Sequence, residues 1–409
     1  DVVAYVLPNS LETAITLLGG SVAGIVNPIN PLLEAEQISA ILRETKAKVV
    51  VTLKAFPKTD LAQKVAEAVK HVPTVKTVLE VDLAQYLTPP KSWIVKLIRP
   101  KSPTGYSANV KNFNVECARQ PADRLTFADI TTDRVAAYFH TGGTTGMPKV
   151  AQHKVSGMVY NGWLGARLLF RETDVVICPL PLFHVFAVYP ILMSMIASGA
   201  HVIFPTPAGY RGDGVFDNFW KLIARWKVTY MVTVPTALAA LMQRPVTADV
   251  STRRGAFSGS APLPIELFTR FEKATGVQIV EGYGLTECTC LVSVNPPEGA
   301  KKIGSVGIPV PHTPVRILRT DGNGGFRECA VDEIGEICVA NPGVFEGSTY
   351  TEVDKNRSLF AEGRYLRTGD LGRLDAEGYL FITGRAKDLI IRGGHNIDPA
   401  VIEEALMGH

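Results

Sequence analysis

His140-Thr141-Gly142-Gly143-Thr144-Thr145-Gly146-Met147-Pro148-Lys149 is the stretch on which the reading of this chain turns. Three glycines and three threonines leave it little apolar surface to bury. What it offers is a tight backbone whose N–H groups can converge, hydroxyls beside them and one cation at the end. Such a nest suits a polyphosphate. No Gly-Lys-Ser/Thr closes the loop, so it is not a Walker A sequence. A flexible surface linker has the same composition, but not a strand before it and an amphipathic segment after it.

The apolar run Val135–Phe139 predicts the strand that delivers the loop, and residues 152–169 read as a helix leaving it. Upstream, strand and helix alternate. Val2–Leu7, Gly24–Pro28 and Lys48–Thr52 are predicted strands; helices are predicted from Ser10 to about Val22 and from Glu34 to Thr45. That spacing argues for a parallel sheet with crossover helices. Downstream, further strands are expected at residues 174–179, 201–204, 228–234 and 278–281, with helices at 215–225 and 263–275. The segments 315–318 and 335–340 predict a smaller β-rich unit. Leu180–Ala200 has the length of a membrane span. It contains Pro181, His184 and Pro190 and runs into a strand, so a buried helix is expected instead.

A length of 409 residues implies two or three domains with ample core. Net charge is +3, from 42 basic and 39 acidic residues, which leaves no polyanion footprint and argues against nucleic-acid binding. None of the six cysteines forms a Cys-x-x-Cys pair, and Cys288-Thr289-Cys290 has no nearby histidine for zinc. Reduced thiols and a cytoplasmic setting are expected. No charged-then-apolar leader opens the chain; it begins inside a strand pattern and stops inside a helix pattern, as if cut at both ends.

Residues 86–112 break the alternation. Lys91, Lys96, Arg99, Lys101 and Lys111 occur there with no acidic residue, and Trp93, Ile94, Val95, Leu97 and Ile98 sit among them. A solvated excursion with Trp93 tucked onto the body is the expectation; peripheral contact with an anionic membrane is the alternative.

Four more stretches carry chemistry. Phe257-Ser258-Gly259-Ser260-Ala261-Pro262 joins a strand to a helix with small residues, permitting close backbone approach to a flat base. In Glu281-Gly282-Tyr283-Gly284-Leu285-Thr286-Glu287, glycines flank a ring that is expected to be open for stacking. Thr286 can donate to a phosphate, and Glu287 is an oxygen ligand of the kind Mg2+ takes alongside phosphates. Leu366-Arg367-Thr368-Gly369-Asp370 is expected to end a strand in a turn whose carboxylate accepts two ribose hydroxyls. Gly384-Arg385-Ala386-Lys387-Asp388 and Arg392-Gly393-Gly394-His395-Asn396-Ile397 follow. Singly, each is as well explained by an ordinary or charged turn.

Together, in this order and spacing, Thr-Gly-Gly-Thr-Thr-Gly-Met-Pro-Lys, Tyr-Gly-Leu-Thr-Glu, Thr-Gly-Asp and Gly-Arg-x-Lys-Asp-x-Ile resemble the adenylate-forming superfamily. That group comprises acyl-CoA synthetases, firefly-type luciferases and peptide-synthetase adenylation domains. The resemblance covers nearly the whole chain and is nearest to fatty or aromatic acyl-CoA synthetases. It implies an α/β domain of parallel and mixed sheets over residues 1–386, with a β-rich subdomain at about 300–386. The beginning of a mobile α+β lid would occupy 387–409.

The implied reaction has two steps. A carboxylate attacks the α-phosphate of ATP, giving an acyl adenylate and pyrophosphate; CoA thiol then displaces AMP. By resemblance, Thr141, Gly142, Gly143, Thr144, Thr145, Gly146 and Lys149 hold the β- and γ-phosphates. Gly259, Ser260 and Ala261 line the adenine and Tyr283 stacks on it, within a nucleotide-binding stretch of Glu281, Gly282, Tyr283, Gly284, Leu285 and Thr286. Glu287 holds Mg2+; Asp370 and Arg385 bind the ribose, with Ile382 beside them. His184, in Pro-x-Phe-His, would sit by the carboxylate and α-phosphate, its alternative being a satisfied core imidazole. Lys387 would be the hinge, and Gly393 and Gly394 would pass the pantetheine arm. No protein nucleophile is needed, since phosphoryl-centre attack requires alignment and charge neutralisation.

Gly142 stands where serine is usual, and Val150 where many members have glycine. Asp398-Pro399 reads as the cap and first turn of a lid only begun, and the lysine that members carry late in the lid is absent. The 409 residues are therefore expected to bind ATP or AMP but to adenylate poorly. A ligase loading a carrier-protein thiol shares every motif. A non-catalytic acyl-nucleotide binding protein has less use for Glu287 and Lys149. The acid is expected to be apolar.

Overall fold

A computed structural model describes residues 1–141, 148–321 and 324–386, and the backbone of 390–392 and 395–397. Gly142–Gly146, Lys387, Gly393, Gly394 and Asp398-Pro399 from the sequence reading lie outside the described residues. Two compact units emerge. The first is Asp1–Val155 with Pro181–His184 and Tyr350–Glu352; the second takes Ser156–Leu180, Val185–Thr349 and the chain from Val353 onward.

The first unit is built on β1 (Val2–Val6), β2 (Ile25–Pro28), β3 (Val49–Leu53), β4 (Thr77–Val81), β5 (Asn109–Asn112), β6 (Val135–His140) and β7 (Val150–Lys154). Among the described residues their order is β5-β4-β3-β1-β2-β6-β7. All pairs are parallel except β6–β7, so the predicted parallel sheet is present. Val-rich β1 and β3 are buried almost throughout, as strands covered on both faces must be. Helices α1 (Leu11–Ala23), α2 (Ala35–Glu44) and α3 (Leu61–Lys70) make the crossovers. Ser10 caps α1 by accepting from Thr13 N–H, as its position in the sequence predicts.

Two expectations fail in this unit. Residues 152–154 are strand, not helix: β7 pairs with β6 from His140↔Val150 onward. The loop therefore closes a hairpin, and helix begins only at Val155, once β6 has satisfied the backbone groups of β7. Trp93 is not tucked away. It lies on α4 (Lys91–Ile98) and is 66% exposed. A short helix, α5 (Phe113–Ala118), follows.

In the second unit α6 (Val155–Leu164) leads to β8 (Val175–Ile177). The stretch that matched a membrane span is a run of short pieces. These are α7 (Val185–Ala187), a π-wound segment Val188–Met193 that absorbs Pro190, and α8 (Ser194–Ser198). Among the described residues no helix is long and apolar enough to cross a membrane. Next come β9 (His201–Ile203), α9 (Val215–Trp226), β10 (Tyr230–Thr233), α10 (Pro235–Leu241), β11 (Gly255–Ser258), α11 (Ile265–Thr275), β12 (Ile279–Gly284), β13 (Leu291–Val294) and β14 (Ile308–Pro309). The sheet runs β14-β13-β12-β11-β10-β8-β9. Its core joins Met231, Ala256 and Ile279 to Phe219, Ile223, Leu238 and Phe271 of the helices.

The predicted β-rich part is a separate sheet. It comprises β15 (Val315–Thr320), β16 (Phe326–Glu328), β17 (Gly335–Val339), β18 (Phe360–Ala361), β19 (Tyr365–Leu374) and β20 (Leu380–Arg385). A hairpin of β21 (Ile390–Arg392) and β22 (His395–Ile397) follows. Thr368-Gly369-Asp370 does not end a strand. It lies in the middle of β19, where Gly369 takes φ +75° and kinks the chain without stopping its pairing to β17 and β20.

Candidate functional site

In the first unit the chemistry gathers at the β6–β7 hairpin. Thr141 N–H donates to Lys149 O at 2.8 Å, so the two ends of the glycine–threonine loop are pinned together. Lys149 Nζ stands 4.8 Å from the centre of the Tyr350 ring, a cation–π contact that holds the ammonium in place. At the last residue of β6, His140 Nε2 accepts from Asn30 N–H at 3.0 Å, which fixes the ring as the neutral Nδ1–H tautomer. Desolvation, with repulsion from His184 added, takes the His140 pKa down to about 4. His184 opens to solvent on one side, while desolvation by the protein around it lowers its pKa too. Two neutral imidazoles thus lie near each other at pH 7, and His140 directly precedes Thr141 in the chain. His140 had no assigned role in the sequence reading; its place at the strand end before the loop was the available signal.

In the second unit the sequence-predicted residues cluster at the carboxyl ends of β11 and β12, where open α/β sheets bind ligands. Asp370, 6% exposed, accepts from Tyr283 Oη at 2.6 Å through Oδ2 and pairs with Arg385 Nε at 3.0 Å through Oδ1. Burial raises its pKa, and the Tyr283 hydroxyl and Arg385 guanidinium oppose that rise. The Thr-Gly-Asp turn is held from beneath. Thr368 Oγ1 donates to Ile337 O and accepts from Asp370 N–H, and Glu336 accepts from Gly369 N–H and from Arg367. Glu336 belongs to no motif and could not have been picked from the sequence. Ile382, on β20 opposite Gly372, packs into the same small core as Tyr283.

The Tyr283 ring is 8% exposed, so its flanking glycines do not open it. They serve backbone approach instead: a Cβ on Gly284 would lie 1.9 Å from Cys290 O. There the chain turns through Thr286–Cys288 and returns as β13, with Leu285 N–H donating to Cys290 O at 2.9 Å. Thr286 and Glu287 ride this turn, half-buried. Two residues with side chains adopt positive φ beside it, Ser260 at +69° and Thr289 at +65°. For a β-branched threonine this is a strained conformation, and such strain concentrates at ligand sites. Ser258 Oγ is buried with no hydrogen-bond partner in the structure, as fits a hydroxyl placed to meet a ligand. Gly259 is buried against Phe186, whereas Ser260 and Ala261 are exposed. A hollow of about 540 Å3 between Phe170, Arg254 and Pro297 shares no residue with this cluster, and its Arg171 and Arg254 are already paired with Glu298.

Glu281 is buried in the middle of β12, opposite Ser258 at the end of β11, and accepts from Leu263 N–H, so it ties down the loop that carries Ser260. Burial pushes its pKa up to about 7. A raised carboxyl pKa favours the protonated form in the folded state. The penalty is absent below the ordinary value of 4.5, grows as pH rises and is complete above about pH 7. Glu281→Gln is therefore expected to gain stability over wild type between pH 5 and 8, on the order of 3 kcal/mol at the upper end. Urea unfolding at four pH values measures this, and parallel curves for the two proteins would refute it.

Glu287 stands in no cluster of three metal-ligating side chains; none exists among the described residues. One carboxylate suits Mg2+, which takes its other ligands from phosphates and water.

Comparison with known proteins identifies the family and the fold. The family described as AMP-binding enzyme matches residues 1–349. A marinolic acid–CoA ligase of Pseudoalteromonas is 37% identical over 416 residues; the alignment takes in 100% of this chain and 60% of that protein. A long-chain-fatty-acid–CoA ligase of Bacillus subtilis is 32% identical over 422 residues, with 72% of its length covered. Among solved structures, ATP-bound MatB from Rhodopseudomonas palustris superposes with a TM-score of 0.82 at 26% identity, over 100% of this chain and 73% of that one. The anthranilate-CoA ligase AuaEII with anthranoyl-AMP gives 0.82 at 25% identity, with the same coverage. The chain spans about three fifths to three quarters of the length of these proteins. With its α/β sheets, separate β-rich sheet and ordered motifs, it belongs to the AMP-binding enzymes of the adenylate-forming superfamily and has the fold of their acyl-CoA ligases.

Proposed function

We propose that this chain carries the activating machinery of an AMP-forming acid–CoA ligase. A carboxylate oxygen attacks the α-phosphorus of ATP, pyrophosphate leaves, and the acyl adenylate then yields its acyl group to CoA thiol with release of AMP. The observation that carries this reading is the Tyr283–Asp370–Arg385 network beside the Thr286–Glu287 turn. It offers a carboxylate for a ribose diol, a hydroxyl for the α-phosphate and one metal ligand, with the buried Tyr283 holding the carboxylate in place.

In this reading the loop from Thr141 to Lys149 holds the β- and γ-phosphates. Gly259, Ser260 and Ala261, with the chain from Glu281 to Thr286, line the adenosine. Ile382 supports the ribose site. Mg2+ on Glu287 would neutralise phosphate charge. His184, its pKa lowered by desolvation, can donate a hydrogen bond to the entering carboxylate or the α-phosphate from a neutral imidazole. Lys387 is the proposed hinge between a domain of residues 1–386 and a lid from 387, with Gly393 and Gly394 on the pantetheine path. An apolar acid is the proposed substrate. The fatty-acid relatives support that choice, although a sulfoacetate–CoA ligase of Cupriavidus necator is also 32% identical. A cytoplasmic setting with peripheral lipid contact through residues 86–112 completes the proposal; the six cysteines are free thiols.

Calorimetry with ATP and AMP, with and without Mg2+, tests the nucleotide half. Mg2+ is expected to strengthen ATP binding about tenfold, Glu287→Ala to lose that gain, and AMP affinity to stay unchanged. An equal Mg2+ gain in the variant would remove Glu287 from the metal site, and binding of neither nucleotide would end the reading. AMP release across a panel of carboxylic acids with CoA then identifies the substrate.

A further inference from the structure

Helix α4 is amphipathic the wrong way round for a protein in water. At about 100° per residue, Trp93, Leu97, Ile94 and Ile98 fall within one arc of roughly 140°. They are 66%, 86%, 51% and 56% exposed. The residues turned toward the body are Ser92, Val95 and Arg99, each half-buried. No residue of α4 is fully buried, and a helix of eight residues has little stability of its own. Among the described residues its apolar arc has no covering partner. The basic residues frame that arc. On the same wheel Lys91 and Lys96 flank it on either side, and Lys101 and Lys111 are exposed nearby.

The excursion is also held firmly. Arg99 Nη2 pairs with Asp82 Oδ1 at 2.7 Å at the far end of α4. At the near end Tyr86 Oη and Gln85 Nε2 both donate to buried Glu12 Oε1 at 2.8 Å, and Asn114 Nδ2 donates to Gln85 Oε1 at 2.6 Å. Three acidic groups around the base of α4 are thus engaged, Asp82 with Arg99, Glu12 with Tyr86 and Gln85, and Glu116 with Lys111 and Arg119, while a fourth, Glu80, is half-buried near Arg99 and Lys54. Nothing negative between residues 86 and 112 opposes the lysines.

We propose that α4 lies in the headgroup layer of an anionic lipid bilayer, with Trp93, Ile94, Leu97 and Ile98 entering the acyl boundary and Lys91 and Lys96 on the phosphates. Apolar insertion and charge attraction each give weak binding, and the two together give a stable but reversible attachment. The lipid-phosphate chemistry selects a membrane over an acidic protein, because a wide apolar arc framed by lysines matches acyl chains beneath phosphates. The inference is independent of the ligase chemistry.

Co-sedimentation of the full chain with vesicles tests it, using phosphatidylcholine alone and phosphatidylcholine with about one third phosphatidylglycerol. Retention is expected on the anionic vesicles and to fall with added salt. Leu97→Glu is expected to lower the partition coefficient on the order of tenfold. Lys91→Gln with Lys96→Gln should lower it by roughly ten- to thirtyfold, from about fivefold per basic residue. All three side chains are exposed, so folding is preserved. Val353→Glu, at a 78% exposed site in the second unit, should bind as wild type does. Wild type left in the supernatant, or Leu97→Glu retained as fully as wild type, overturns the proposal. So does a dimer in sedimentation velocity that Leu97→Glu dissolves while lipid retention persists, which would assign the face to a second copy of the chain.

Discussion

Asp370→Ala is expected to weaken AMP binding by about ten- to hundredfold, against little change for Asp375→Ala. The two aspartates lie five residues apart, and their surroundings divide their roles. Asp370 is buried on β19, with one oxygen on the Tyr283 hydroxyl and the other on Arg385. Each oxygen keeps a lone pair, and a diol donating to both would form charge-assisted bonds worth about 1.5–3 kcal/mol each. Asp375 works inside a turn. It accepts from Glu377 N–H and Tyr379 N–H at 2.9 Å and from Lys302 Nζ at 2.5 Å. Its removal should lower the melting temperature and leave AMP affinity alone. Asp370→Ala also takes the acceptor from the buried Tyr283 hydroxyl and leaves it only Thr368, which adds about 1 kcal/mol of destabilisation. Asp370→Asn keeps an acceptor for that hydroxyl and separates the two effects. Calorimetric titration of AMP into all three variants decides the matter; equal losses for Asp370→Ala and Asp375→Ala would discard the ribose role.

Gly284→Ala is expected to be the most damaging single methyl in the candidate site. The added carbon would meet Cys290 O at 1.9 Å and Cys290 C at 2.7 Å. Both are backbone atoms, so no rotamer change relieves the overlap, and the turn carrying Thr286 and Glu287 must open. Loss of about 3 kcal/mol of stability is expected, with loss of nucleotide binding even at temperatures where the variant is folded. Gly276→Ala is the comparison. It has open space around its Cβ but φ +66°, so it should lose only about 1 kcal/mol through backbone strain. Denaturant midpoints for the two variants give the contrast, and similar midpoints would mean that β12 and β13 slide apart freely.

Much of the fold was legible because its signals are local. Ser10 caps α1, Gly276 ends α11, and the spacing of valine-rich runs marks the parallel strands. Residues 152–154 misled because a strand held by its pairing to the preceding strand has no period of its own over three residues. Asp370 was found by motif but placed at a strand end, since a kinked glycine within a strand and a turn glycine look alike in sequence. Glu336, Tyr350 and the tautomer of His140 were invisible: each depends on a partner more than thirty residues away. Trp93 misled in the other direction. A tryptophan is usually covered by its own chain, and only the orientation of α4 shows that this one is not.

The bond from Tyr283 to Asp370 spans 87 positions and fastens the strand of one sheet to the strand of another. A growing polypeptide emerging from the ribosome would complete its first two sheets long before that fastening could form. Competence to grip a sugar is thus a late acquisition in synthesis, and nascent chains stalled before Asp370 should pass through a nucleotide column unretained.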